Sequence, residues 1–292
     1  MIKLSFVVTA IEKDQYHLFQ MLYSYFNMSN CEETEMLIIL NHASQSFQKE
    51  LDELAAENEN LTYFVLEGLN RCARRDYGAK LAHSEFIAFI DADCIIDKEY
   101  YICAKKHLDK IIFRGTNHYQ SSSWFNKMQS IYRSLCDEKF FAEETFTPNL
   151  VIDRQLLFKA GGWDLCNIDF GDDFNLSRRI RLFYKERIMI LPDMNLQINP
   201  DIKKSKSVKT WFRNGQAYAF RYYHLNFNQK RLWESSPFLV YNRGNSLAYK
   251  TFAVFVNFVM KCGFLYGLKI YKNIMYLVMA ENMRKFLKYR IK

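Results

Sequence analysis

Residues 85–97 read EFIAFIDADCIID: five apolar residues, Phe86 to Ile90, run into two aspartates separated by one alanine. An apolar residue at every position describes a strand buried on both faces, because a strand with one wet face alternates apolar and polar. Such strands belong to parallel sheets covered by helices. Asp91 and Asp93 at the strand's end leave three readings open. They can satisfy a turn, cap the next helix, or hold a hard cation such as Mg²⁺ or Mn²⁺ together with a ligand's phosphates.

Outward from this strand, the first half of the chain alternates in kind. IKLSFVVTA (2–10), MLIIL (36–40, followed by Asn41) and LTYFVLE (61–67) are apolar strand-like runs. Between them, EKDQYHLFQMLYSYF (12–26) has helical apolar spacing at Tyr16, Phe19, Leu22, Tyr23 and Phe26, and SFQKELDELAAEN (46–58) and RDYGAKLAH (75–83) read as helices. Strands alternating with helices, joined by right-handed crossovers, predict an α/β/α layered fold of Rossmann type with a mostly parallel sheet. Ligands in such folds bind at the carboxyl ends of the strands, where Thr9, Asn41, Asp91 and Asp93 fall.

Further along, KIIFRG (110–115), NLVIDR (149–154) and RIMILP (187–192) are strand-like, and helices are expected from about Ser123, at RQLLFKA (154–160) and at VKTWFRNGQAYAFRYYHL (208–225). A turn at GGWD (161–164) precedes a helix that opens at GDDFNLSRRI (171–180). Leu176, Ile180 and Phe183 give that helix a buried stripe, and Asp172 and Asp173 stand in its first turn. Acids there complement the helix dipole, yet a carboxylate held at the mouth of a cleft is also what a general base requires. The expected division is a catalytic domain over residues 1–225 and a basic, aromatic, mostly helical extension over 226–292.

Composition narrows the class. With 10 Gly and 4 Pro in 292 residues, long disordered linkers are not expected. The seven cysteines form no C-x-x-C pair and are odd in number, which argues against zinc, redox and secreted disulfide frameworks and for reduced thiols in the cytoplasm. The apolar N-terminal run lacks a small-residue cleavage site and fits a first strand better than a signal peptide. Charge is unevenly placed. Residues 200–292 carry 18 Lys/Arg against 3 Asp/Glu, whereas residues 1–199 carry 22 against 29. A basic tail on an acidic body suggests an anionic surface as partner.

Five segments in sequence order together resemble the inverting glycosyltransferases of family two, which have the GT-A fold. LSFVVTA resembles the family's opening strand, which normally ends in Pro-Thr or a similar pair, and MLIILNHAS resembles its second strand, whose end holds the nucleotide base. RRDYGAKLAHSEFIAFIDAD is similar to the A-R-N-x-G helix followed by the D-x-D strand. NLVIDRQLLFKAGGWD and FGDDFNLSRRI resemble the G-G-F-D and E-D motifs on the acceptor side, and are also similar to the carboxyl-terminal part of the galactosyltransferases. The likeness covers roughly residues 2–225.

The resemblance implies a metal-dependent transfer from a nucleoside-diphosphate sugar, a UDP-hexose or UDP-N-acetylhexosamine, to a hydroxyl of a glycan or lipid-linked acceptor, as in bacterial surface polysaccharide synthesis. By the same resemblance Thr9 and Ala10 line the nucleotide pocket and Asn41 meets the base. Arg75 and Asp76 hold the diphosphate or sugar. Asp91 touches the ribose and the metal's water shell, and Asp93 ligates Mn²⁺ or Mg²⁺. Asp173 is the base, Asp172 binds acceptor or donor sugar, and Trp163 packs beside the sugar or fills the core behind the Gly-Gly turn. Three positions depart from the pattern. Asn41 replaces an aspartate, Arg74 replaces a small residue on what reads as a surface helix, and Asn199 stands where the family often has a histidine metal ligand.

Residues 246–292 are rich in Phe, Tyr and Leu and punctuated by Lys250, Lys261, Lys269, Lys272 and Arg284. Two readings stay open: a helical pair packed on the protein, or a basic amphipathic segment lying on the anionic inner leaflet, which would make the protein peripheral there. A sugar-nucleotide nucleotidyltransferase would be expected to carry a glycine-rich loop after the first strand, and VVTAIEKD has no glycine. A nucleic-acid-binding protein would explain the basic tail but neither acidic pair, so no nucleic acid partner is expected.

Overall fold

A computed structural model describes residues 2–119, 123–139, 145, 147–163, 172–198, 204–224 and 246–290. The chain divides into two compact units, Met1–His118 with Glu143–Asn199, and Tyr119–Ala142 with Pro200–Lys292.

The first unit is built on an eight-stranded sheet of order β3-β2-β1-β4-β7-β6-β8-β5. β1 (Leu4–Ala10), β2 (Thr34–Leu40), β3 (Leu61–Val65) and β4 (Phe86–Asp91) pair in parallel. β1, β2 and β4 are buried almost throughout, with every residue of β2 inside, whereas the edge strand β3 buries only Leu61. Beyond β4 the direction reverses. β7 (Leu150–Asp153) runs antiparallel to β4 and to β6 (Ile112–Tyr119), and β5 (Cys94–Ile96) runs antiparallel to β8 (Met189–Ile198). The expected parallel sheet is thus the first four strands of a mixed sheet. The short strand β5, directly after the D-A-D turn, has no counterpart in the sequence reading, since three residues are too few for a period to show.

Helices α1 (Gln15–Phe26), α2 (Gln45–Glu57), α3 (Arg71–Leu81), α4 (Tyr100–Lys105) and α6 (Arg154–Lys159) are this unit's described α-helices together with α7 (Asp172–Arg179), which runs on into a π turn at Ile180–Tyr184. Several start where a side chain supplies a missing acceptor. Ser44 accepts from Phe47 N, Asn70 from Ala73 N and Asp153 from Leu156 N. The register then sets the rim. Thr9 lies beside Ile39 on one side and Asp91 on the other, and Ala10 lies beside Leu40. The ends of β1, β2 and β4 are therefore level, which brings Thr9, Asn41 and Asp91 to one edge.

The second unit holds α5 (Trp124–Lys139), α8 (Lys204–His224) and α9 (Leu247–Arg290). Met128, Tyr132, Trp211, Phe252, Val256 and Met260 form its core. Ser207 donates to Gln129 Oε1 at 2.7 Å. The sequence reading sets a break after residue 225. The compact units instead group α8 with α9, because the apolar face of α8 finds its partners there: Trp211 meets Phe252 edge-on at 5.5 Å. Of the extension expected over 226–292, residues 226–245 lie outside the described part.

Candidate active site

The site is assembled at the carboxyl ends of the parallel strands, where the start of α3 faces the start of α7. Asn70 caps α3, and the four-residue spacing of Arg71 and Arg75 puts both guanidinium groups on one face of that helix. Asp172 opens α7 opposite them. Arg75 Nη1 donates to Asp172 Oδ2 at 2.7 Å, and Arg71 Nη2 donates to Asp172 Oδ1 at 3.1 Å. Arg75 Nη2 also donates to Asp91 Oδ1 at 3.0 Å. The side chains of Arg75 and Asp172 are only 2% and 3% exposed, so this pair is interior.

Beneath it, the Arg75 guanidinium lies 5.1 Å from the centre of the Trp163 ring, and Trp163 meets Phe89 edge-on at 5.1 Å. Asp76 Oδ1 accepts from Trp163 N at 2.8 Å. This bond explains the second glycine of the Gly-Gly turn. Gly162 has φ +69, and a Cβ there would sit 2.6 Å from Asp76 Oδ2. Helix α3 and the turn are thereby locked together.

Neighbouring Asp172 and Asp173 differ sharply. Burial pushes Asp172 upward, but the charges of Arg71 and Arg75 outweigh it and hold this carboxyl below the usual aspartate range. Burial, with the Asp172 charge beside it, pushes the Asp173 carboxyl up to about 7. Asp173 accepts from Thr147 Oγ1 at 3.1 Å, and its backbone carbonyl accepts from Thr145 Oγ1 and Ser177 Oγ. A carboxylate poised near neutrality next to one that stays ionised is the electrostatic setting of an acid/base group.

The resemblance gives Arg75 to a diphosphate and Asp172 to a sugar; in this structure the two side chains are engaged with each other. It gives Asp76 to the same ligand, and Asp76 braces the Gly-Gly turn. Trp163 is a buried core residue that floors Arg75, so of its two readings the core one describes its position. Arg74, read as a surface substitution, is buried and donates to the Ala10 carbonyl at 2.7 Å, closing the end of β1. Ala10 is itself buried and Thr9 partly so. Arg71 and Thr147 join the site without a sequence cue beyond the spacing of Arg71 to Arg75.

Two further features lie at the rim. Among the described residues Asn41 Oδ1 is buried with no hydrogen-bond partner, while the Asn41 backbone N donates to Ala10 O at 3.1 Å. Asp91 and Asp93 are partly exposed at the turn after β4. Among the described residues no group of three or more His, Cys, Asp or Glu is gathered for a metal. Two carboxylates fit an ion that completes its shell with phosphate and water rather than one held in a protein cage. Asn199 lies outside the described residues. His118, the histidine on β6, has Nε2 3.0 Å from Asn195 Oδ1.

A parallel half whose strand ends present acids, joined to an antiparallel half that carries a second acid pair, is the arrangement of the GT-A fold. The profile described as Glycosyl transferase family 2 matches residues 12–158, and the chain belongs to that family. Among solved structures, it is similar to the mannosyltransferase PcManGT from Pyrobaculum calidifontis, in complex with GDP-Man and Mn²⁺, at 12% identity and TM-score 0.62, over 99% of this chain and 86% of that one. It is also similar to S. aureus TarS 1–349 in complex with UDP-GlcNAc, at 13% identity and TM-score 0.53, over 99% of this chain and 90% of that one. At these identities the likeness shows the fold. No curated protein matches the chain by sequence.

Proposed function

We propose that the protein is a metal-dependent inverting glycosyltransferase that moves a hexose or N-acetylhexosamine from a UDP-sugar to a hydroxyl of a glycan or lipid-linked acceptor. Bacterial surface polysaccharide synthesis suits such an acceptor, and the enzyme would then work as a peripheral protein at the inner face of the cell membrane. The observation that carries the reading is the split between Asp172 and Asp173. One acid is held ionised by two arginines, and the other is lifted to about 7.

In this reading Asp173 takes the acceptor proton as the hydroxyl attacks the anomeric carbon from the face opposite the leaving diphosphate. That single displacement inverts the centre and needs no covalent nucleophile. Asn41 Oδ1, an acceptor awaiting a donor, meets the ring N–H of the base, and uracil offers one. Thr9 and Ala10 line the nucleotide pocket. Asp91 and Asp93 would hold Mn²⁺ or Mg²⁺, which when bound neutralises charge on the leaving diphosphate. Arg75 orients Asp91 and Asp172 and, with Asp76, would hold the diphosphate or sugar, while Trp163 stiffens the wall beneath. The relatives bound to GDP-Man with Mn²⁺ and to UDP-GlcNAc lend support to a nucleotide-sugar donor.

The test is a screen of sugar nucleotides for metal-dependent thermal stabilisation, because a ligand that binds only the folded state raises its melting temperature by mass action. A UDP-sugar should raise it with Mn²⁺ or Mg²⁺ present and much less in chelator. Flat melting curves across all sugar nucleotides would sink the proposal.

A further inference from the structure

Among the described residues, the outer face of α9 is an apolar strip without cover. Leu247, Phe258 and Leu265 are 80%, 63% and 65% exposed, and Val254, Phe255 and Tyr266 are exposed beside them. The spacing of Leu247, Val254, Phe258 and Leu265 is seven, four and seven residues, which keeps all four on one side of a helix. The opposite side is already satisfied. Phe252, Val256 and Met260 fill the core of the second unit, and the backbones of α8 and α9 touch where a Cβ on Gly215 would lie 2.0 Å from Met260 O and one on Gly263 would lie 2.0 Å from Phe212 O. One side of the helix therefore holds the pair together, and the other presents large apolar side chains to the exterior.

We propose that this face docks onto an anionic lipid bilayer, with the α8–α9 pair lying along the headgroup boundary. This deepens the reading of a transferase with a lipid-linked acceptor, and it names the surface that would bring the enzyme to such an acceptor. Charge selects the occupant. Residues 204–224 and 247–270 contain no Asp or Glu. Lys261 and Lys269 are exposed on α9 among the apolar side chains, and Lys206, Lys209 and Arg213 form an exposed stripe on α8. A second copy of the chain would bring the same cations face to face, whereas an anionic leaflet complements them.

The charges also choose between lying on the bilayer and crossing it. The segment Leu247–Ile270 is apolar enough and, at 24 residues, long enough to span. Its partner α8 carries the three exposed cations over its first half, and cations facing hydrocarbon are disfavoured. A pair with apolar side chains on one helix and a basic stripe on the other suits the boundary, where rings and aliphatic chains enter the acyl region and lysines reach phosphate.

The experiment uses the full chain and vesicles of phosphatidylglycerol with phosphatidylcholine, against phosphatidylcholine alone. The protein should co-sediment with the anionic vesicles and release in part at high salt. The fluorescence of the Phe258→Trp variant should be quenched by lipids brominated on the acyl chain well beyond the quenching of the unsubstituted protein. Phe258→Glu with Leu265→Glu should weaken vesicle binding by roughly tenfold or more, with the melting temperature and the stabilisation by sugar nucleotide unchanged. The proposal is overturned if the unsubstituted protein ignores anionic vesicles, or if brominated lipid quenches the Phe258→Trp variant no more than the unsubstituted protein. It is equally overturned if light scattering shows a dimer that the double substitution splits, which would make a second copy the cover. If vesicles bind but no sugar nucleotide stabilises the protein, the surface stands and the enzymatic reading falls; the reverse result separates them the other way.

Discussion

Two polar clusters, each centred on a buried carboxylate, sit at opposite ends of the same strands, and they behave differently. At the amino ends, Glu35 of β2 accepts from Ser5 Oγ of β1, from the backbone N of His83 at 2.7 Å, and makes a further bond with His83 Nδ1 at 2.7 Å. Ser5 also meets Ser84 at 2.6 Å, just before β4. Serine, histidine and a carboxylate are all present, but the carboxylate stands between the other two, so the imidazole has no path to the serine proton. The cluster is a strut across β1, β2 and β4, in which the one acid owns its donors. At the carboxyl ends, two adjacent acids open one helix, and both guanidinium groups go to the first. Asp173 is left with a threonine hydroxyl and a charged neighbour, and it absorbs the repulsion. A buried acid with its own donors stabilises a fold; one that shares a field with a second acid is where a proton can move.

The largest effect is expected at the turn after β4, on the side of the contrast assigned to chemistry. Asp93→Asn should abolish transfer while the protein keeps its fold, as judged by circular dichroism and melting. Near-normal turnover of that variant in chelator would remove the metal from the site. Next comes the lifted acid. Asp173→Asn should lower transfer by about 10² or more, the usual scale of general-base catalysis, and still bind donor nucleotide. Loss of donor binding with unchanged single-turnover chemistry would make Asp173 a binding residue instead.

The same acid makes a pH statement with a definite sign. Its folded value of about 7 stands above the ordinary 3.8, so the stability it contributes is complete below the latter and is lost as pH rises through about 7. Asp173→Asn should therefore melt higher than the unsubstituted protein at pH 8 and show little advantage at pH 4. Activity runs opposite to stability: a base must be ionised, so kcat/KM of the unsubstituted enzyme should climb through about pH 7.

Arg75→Ala attacks the acid that is held down. It strips a buried carboxylate of its closest cation, and breaking a buried pair in this way costs about 3–5 kcal/mol, readable by denaturant unfolding. Glu35→Ala at the other end should cost less, about 1–3 kcal/mol for donors left unsatisfied, and should leave transfer per folded molecule unchanged. If Glu35→Ala instead changed the pH profile of transfer, the two ends of the sheet would be coupled and the contrast between them lost.

Much of the fold was written locally. Runs such as FVV and MLIIL declare strands buried on both sides, and the level ends of three such strands put Thr9, Asn41 and Asp91 on one rim; the start of α3 was read four residues late, at Arg75, because its cap Asn70 lies in a polar stretch without an apolar period. The acids after β4 and at the start of α7 were visible as candidates for the same reason: polarity breaking an apolar pattern is a local signal. Tertiary structure alone decided what each acid does. Asp172 lies 97 residues from Arg75 and 101 from Arg71, and nothing in GDDF says which of its two aspartates receives their guanidinium groups. The antiparallel half of the sheet, the burial of Trp163 under Arg75 and the grouping of α8 with α9 were equally hidden. An apolar period reports that a face is covered, whereas strand direction, ion pairing and helix partnership depend on which distant segment does the covering.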